Sequence, residues 1–219
     1  MATSEKPNVI VFFTDQQRWD TTGVHGNPMG LTPNFDRMAM EGTHCFNTCT
    51  CQPVCLPARI SLQTGRYPST YDTYNNQGQL PAGTDTLGHR FRDAGYHTGY
   101  IGKWHMCHEN PVPRERRDGY DYWLGADVLE NTSDAYGVTL YDNDGQPVSL
   151  PGYRVDALTD AAIRYIDRTK EQPFFLMTSF VEPHFQNRRD DYPAPTGYEQ
   201  SYLDCWMPPD LRGLGGSVA

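Results

Sequence analysis

The chain has 219 residues, 37% of them apolar and 21% charged, a balance typical of folded domains with no bias toward disorder. That length suits one large core or two small ones, with a single domain as the default. A formal net charge of −9 excludes a general field attracting nucleic acid or an anionic membrane, so an anionic ligand would need a local cluster of cations.

In chain order, Asn8 to Thr14 is a continuous apolar run ending in Asp15, the pattern of a strand buried on both faces. Its apolar core, Val9 to Phe13, is too short for a signal peptide and has no small-residue cleavage site after it. No stretch reaches the length of a membrane span, so the expected compartment is the cytoplasm. Thr32 and Pro33 open a helix as N-cap and first residue, with Phe35, Met38 and Ala39 as its buried stripe and Gly42 as its stop. A second helix is expected from Pro57 to Gly65, and a third from about Thr84 to Gly95 with Leu87, Phe91 and Ala94 on one face. A strand from Thr98 to Ile101 leads into Gly102-Lys103-Trp104-His105. The stretch from Glu109 to Gly152 is polar, rich in Pro and Gly, and shows little periodicity. A fourth helix, Arg154 to Thr169, carries Val155, Leu158, Ala162 and Ile166. The strand Phe174 to Val181 ends near His184. Strands alternating with helices predict a layered α/β sheet flanked by helices, with ligands at the carboxyl ends of strands.

Six cysteines are present, and four of them (Cys45, Cys49, Cys51, Cys55) crowd one segment, a poor disulfide framework for this length. Their spacing matches no common zinc finger, and no histidine pair lies nearby at ligand spacing. The sequon Asn131-Thr132-Ser133 is expected to be silent in the cytoplasm. In Cys55-Leu56-Pro57-Ala58-Arg59, Pro57 in a first helical turn sets position 55 at a helix N-terminus, where free N–H groups and the dipole favour an anion. Arg59, one turn on, adds a charged fork. A thiol–histidine hydrolase dyad would leave Pro57 and Arg59 without a purpose.

Cys55-Leu56-Pro57-Ala58-Arg59, continuing to Thr64-Gly65-Arg66, resembles the signature of the formylglycine-dependent sulfatases, a family within the alkaline phosphatase superfamily. Thr32-Pro33-Asn34-Phe35-Asp36-Arg37-Met38-Ala39 is similar to that family's segment before its nucleophile. Gly102-Lys103-Trp104-His105, Arg117-Asp118-Gly119-Tyr120-Asp121-Tyr122-Trp123 and Pro183-His184 resemble its later blocks, in family order. The resemblance implies an alkaline-phosphatase-like α/β fold and hydrolysis of sulfuric esters by a formylglycine made from Cys55. It implies Asp15, Gln16 and position 55 as ligands of a divalent cation, Ca²⁺ first, with Mg²⁺ or Mn²⁺ as alternatives. Arg59 and Lys103 would face the sulfate, His105 would serve the formylglycine hydrate, and His184 would contact the sulfate or protonate the leaving oxygen. Implied partners are a small sulfate ester and a formylglycine-generating maturation enzyme, with no nucleic acid and no membrane.

The chain departs from the family pattern in two places. Many sulfatases have two adjacent Asp residues where this chain has Asp15-Gln16, a pair shared with choline-sulfatase-like and phosphonate monoesterase relatives. The family's downstream Ser-Asp-His-Gly-Asp-like strand end and a further lysine are not in the sequence. After Met207-Pro208-Pro209-Asp210-Leu211-Arg212-Gly213, which resembles a mid-domain segment, residues 214–219 end the chain. The expectation is one partial, N-terminal catalytic domain over 1–219, with the C-terminal part of the domain absent. The alternatives are a phosphonate or phosphate ester hydrolase of the same superfamily, a non-catalytic truncated remnant, and a subunit that pairs with a complementing C-terminal half.

Overall fold

The computed structural model describes residues 6–117, 119–186, 191–203 and 205–211. Asp118 and Arg212-Gly213, which belong to two of the quoted motifs, lie outside them. The chain divides into two compact units, one formed by residues up to Gln16 with Thr50–Pro193, the other by Gln17–Cys49 with residues from Ala194 on.

The larger unit is built on a six-stranded sheet in the order β1-β6-β2-β3-β4-β5. Its strands are β1 (Val9–Phe13), β2 (His97–Lys103), β3 (Tyr122–Ala126), β4 (Tyr136–Tyr141), β5 (Pro147–Tyr153) and β6 (Phe174–Ser179). The pairs β1–β6, β6–β2 and β2–β3 are parallel, while β4 and β5 join as antiparallel strands. Alternation along β6 sorts its side chains to two cores. Phe174 and Leu176 pack with Leu158, Ala161 and Tyr165 of helix α5 (Arg154–Thr169). Phe175 and Met177 face Leu56 and Ile60 of helix α2 (Cys55–Thr64), with Leu87 and Phe91 of helix α3 (Leu87–Asp93) against the same core. Helices therefore cover both faces, the layered α/β architecture expected. No helix among the described residues is long and apolar enough to cross a membrane.

Several expectations change. The strand β1 is not buried on both faces: it lies at the sheet edge with one neighbour, and Ile10 and Phe12 are 51% and 66% exposed. Helix α2 starts at Cys55, two residues before Pro57, and ends on Gly65 at φ 66° as anticipated. The aperiodic stretch contains β3, the short helix α4 (Leu129–Thr132) and the β4–β5 hairpin. Its turn is signalled by Asp142-Asn143-Asp144-Gly145, where Asp142 Oδ1 accepts the Asp144 and Gln146 N–H groups, between runs that bury Val138 and Leu140. Helix α5 has the expected ends, but its most buried face is Ala157, Leu158, Ala161 and Tyr165.

In the smaller unit, helix α1 (Pro33–Glu41) begins after Thr32 with Pro33 first, as the sequence implies. The Thr32 hydroxyl accepts the Gly23 N–H at 3.0 Å and donates to Asp36 Oδ1, tying the preceding loop to the helix. None of its residues is buried, Phe35 and Met38 included, so its apolar stripe is not the core face that periodicity suggests.

Candidate active site

The site residues gather at the carboxyl ends of β1, β2 and β6 and at the start of α2, all within the larger unit. Gly102 makes this possible. At φ 108° it lets β2 pass Ser179 so closely that only a glycine fits, and the next residue, Lys103, turns inward. Helical spacing places Arg59 one turn beyond Cys55, and burial against Phe13 fixes its guanidinium 5.2 Å from that ring.

Four buried charged groups alternate in sign. Asp15 Oδ2 accepts from Arg59 Nη2 at 2.9 Å and from Lys103 Nζ at 2.8 Å. Lys103, fully buried, also donates to Glu130 Oε1 at 2.5 Å. Arg59 Nη1 bonds the Lys103 carbonyl at 2.9 Å and Ser179 Oγ at 2.7 Å. Burial works to raise the Asp15 pKa, but Arg59 and Lys103 outweigh it and hold the carboxyl well below the usual carboxylate range. The four charges cancel, so the positive cluster expected from the sequence is neutralised by Asp15 and by Glu130.

Cys55 Sγ, half-buried, lies 3.5 Å from Asp15 Oδ1. Burial pushes its thiol pKa up, Lys103 pulls it down less, and Asp15 adds to the rise. The thiolate is the reactive form of cysteine, so this environment does not suit a thiol nucleophile. His184 donates Nδ1–H to the Phe185 carbonyl at 2.6 Å. Ligand atoms of Asp15, Cys55 and His184 lie within 4.8 Å of one another, the one such group of three among the described residues. Cys45, Cys49 and Cys51 are exposed thiols outside any disulfide.

His105 follows at φ 54°, off the extended path that would have carried it parallel to Lys103. Burial, then Lys103 and Arg59, lower its pKa to about 3, so its ring is neutral, and its Nδ1 has no partner. The loop after it hangs on Asp127, whose carboxylate accepts the N–H groups of Met106, Cys107 and His108 at 2.8, 3.0 and 2.9 Å. Gln16, at φ 56°, is exposed. Asp127 and Glu130 were not singled out from the sequence. Each is a lone acid in the aperiodic stretch, and only the need of a buried Lys103 for a counter-charge hints at the second.

The sulfatase family profile matches residues 7–208, so the chain belongs to the sulfatase family. It is 36% identical over 212 residues to the ulvan-active sulfatase of Formosa agariphila, covering 94% of this chain and 39% of that one. A Bacteroides fragilis crystal structure described as a candidate yidJ sulfatase superposes with a TM-score of 0.79 at 26% identity, over 99% of this chain and 53% of the other. A Vibrio parahaemolyticus protein of the alkaline phosphatase superfamily shares the fold at a TM-score of 0.53 and 17% identity, over 89% of this chain and 43% of that one. The chain thus spans about two fifths of the curated relative's length.

Proposed function

We propose that the chain is the nucleophile-bearing, N-terminal part of a sulfatase domain that cleaves sulfuric esters with a formylglycine made from Cys55 and a divalent cation. The observation that carries this reading is the convergence of Asp15, Cys55 and His184 at the N-terminus of α2. Cys55 Sγ stands where the formylglycine oxygen would be. With Oδ2 of Asp15 taken by two cations, Oδ1 faces that position, and a ring nitrogen of His184 lies beside it. The Asp15 oxygen and an oxygen at position 55 fit part of a Ca²⁺ shell, which prefers six to eight oxygens, whereas the His184 nitrogen does not belong to that set. A bound cation would polarise the nucleophile and offset sulfate charge.

The remaining roles belong to the chain itself. Lys103 has three N–H donors, two of them engaged, and the third can meet a sulfate oxygen. Arg59 orients Asp15. His105, held neutral by burial and the cations beside it, can hydrogen-bond the hydrated aldehyde through its unpartnered Nδ1, and His184 can contact the sulfate. The open edge of β1, with Ile10 and Phe12 exposed, supports a complementing C-terminal half that covers it. In this reading 1–219 is a partial domain, and a maturation enzyme converts its Cys55.

The test is to co-express the chain with a maturation enzyme and the C-terminal part of a sulfatase relative, then assay an aryl sulfate beside an aryl phosphonate. Preferential sulfate turnover that disappears in Cys55→Ala supports the proposal. Preferential phosphonate turnover would favour the phosphonate hydrolase alternative, which the Asp15-Gln16 pair leaves open, and no turnover of either would favour the remnant.

A further inference from the structure

Glu130 is a buried carboxylate that the proposed chemistry does not use. It is 1% exposed, sits in α4, and gives Oε1 to Lys103 at 2.5 Å while Oε2 has no partner. Its backbone is fixed as well: its carbonyl accepts Gln186 Nε2 at 2.6 Å, and Gln186 bonds the Ser133 carbonyl at 2.8 Å and receives Arg154 Nη1 at 3.3 Å. A carboxylate this deep is costly unless something requires it.

We propose that Glu130 is the positioning residue for Lys103, holding its ammonium in the site when Asp15 turns to a cation. The inference rests on the reading of Asp15 as a metal ligand and Lys103 as a sulfate contact. In the structure one carboxylate, Asp15, serves Arg59 and Lys103 together and also faces Cys55. A divalent ion beside Asp15 would draw off that carboxylate and repel the ammonium. Without Glu130, Lys103 would then have no counter-charge, and an unpaired ammonium at this depth is costly enough to draw the side chain out of place. Glu130 is a second carboxylate on Nζ, separate from the one that also serves Arg59, and its Oε2 has no partner. It holds the ammonium in place without Asp15, with one N–H left for an ester oxygen.

The test needs neither turnover nor metal. In the 219-residue chain with ¹⁵N-labelled lysine, the ammonium signal of Lys103 is identified by its loss in Lys103→Met, and its hydrogen-exchange rate is measured. The expected result is a protected signal in the native chain that stays within about threefold in Asp15→Asn. Glu130→Gln should speed exchange at least about tenfold, with Glu130→Asp in between. Protection lost in Asp15→Asn but kept in Glu130→Gln would overturn the proposal, as would a native chain with no protected lysine ammonium. Should Glu130→Gln fail to fold, Asp15→Asn decides alone: protection kept supports the proposal and protection lost ends it. None of these readouts involves Cys55 chemistry, so their failure leaves the sulfatase reading standing, and a failed sulfatase assay leaves them interpretable.

Discussion

A Cβ on Gly102 would lie 2.0 Å from the carbonyl oxygen of Ser179, and the backbone there is left-handed at φ 108°. The same crossing brings Ser179 Oγ to Arg59 and sends Lys103 into the site. Gly102→Ala should therefore do double harm. The clash with backbone and the unfavourable φ together cost about 2–4 kcal/mol of stability. Urea denaturation of the two chains measures this, and a loss below about 1 kcal/mol would mean that the strands part easily at this point.

Stability should fall as the solution is acidified, for a reason located at His105. Its folded pKa is depressed to about 3, so between that value and the ordinary 6.5 the unfolded chain binds a proton that the folded chain refuses. Unfolding free energy then drops by up to about 1.4 kcal/mol per pH unit as pH falls through this window. Asp15, depressed through its cationic partners, adds a loss below the ordinary carboxylate pKa. His105→Asn should flatten the dependence between pH 6 and 4, read by urea midpoints across pH. An unchanged slope would place the histidine in a more hydrated setting than its 6% exposure indicates.

In a completed, active enzyme, Lys103→Ala should lower aryl-sulfate turnover by some hundredfold, on the order of 3 kcal/mol, the usual cost of deleting a preorganised charged donor. Near-normal turnover would assign Gly102-Lys103-Trp104-His105 to folding rather than catalysis.

The elements with long periodic patterns were legible in the sequence: α5 with its ends, α1 with its Thr32-Pro33 start, and the stop of α2 at Gly65. The segment after Glu109 was not, because β3 is short and paired to distant β2, and the Asp142–Gly145 turn was read as part of a polar loop. Edge position misled twice. An apolar run such as Val9–Phe13 reads as doubly buried whether or not a neighbour covers it, and α1 shows a stripe that nothing in the described residues buries. For the candidate site, Asp15, Cys55, Arg59, Lys103 and His184 could be named from the sequence because each stands in or beside a local motif. Glu130 and Asp127 act through partners 27 and 21 residues away, a relation that spacing along the chain cannot reveal.

Alone, the 219-residue chain should bind Ca²⁺ weakly and turn over little sulfate ester. The free oxygen of Asp15 and one from position 55 fill only a fraction of the shell this ion prefers. Calorimetric titration with CaCl₂ alongside an aryl-sulfate assay tests this. Micromolar affinity with many turnovers would show that residues of this chain, or of a second copy, supply the missing ligands.

Whether Cys55 is the precursor of a formylglycine is read by mass spectrometry of the tryptic peptide Met38–Arg59 from cells that co-express a maturation enzyme. Because Cys45, Cys49 and Cys51 share that peptide, fragmentation must locate the change. Loss of sulfur and gain of oxygen at Cys55, with the other three cysteines intact, is the expected result. An unmodified thiol at Cys55, in cells where a control sulfatase is converted, would contradict it.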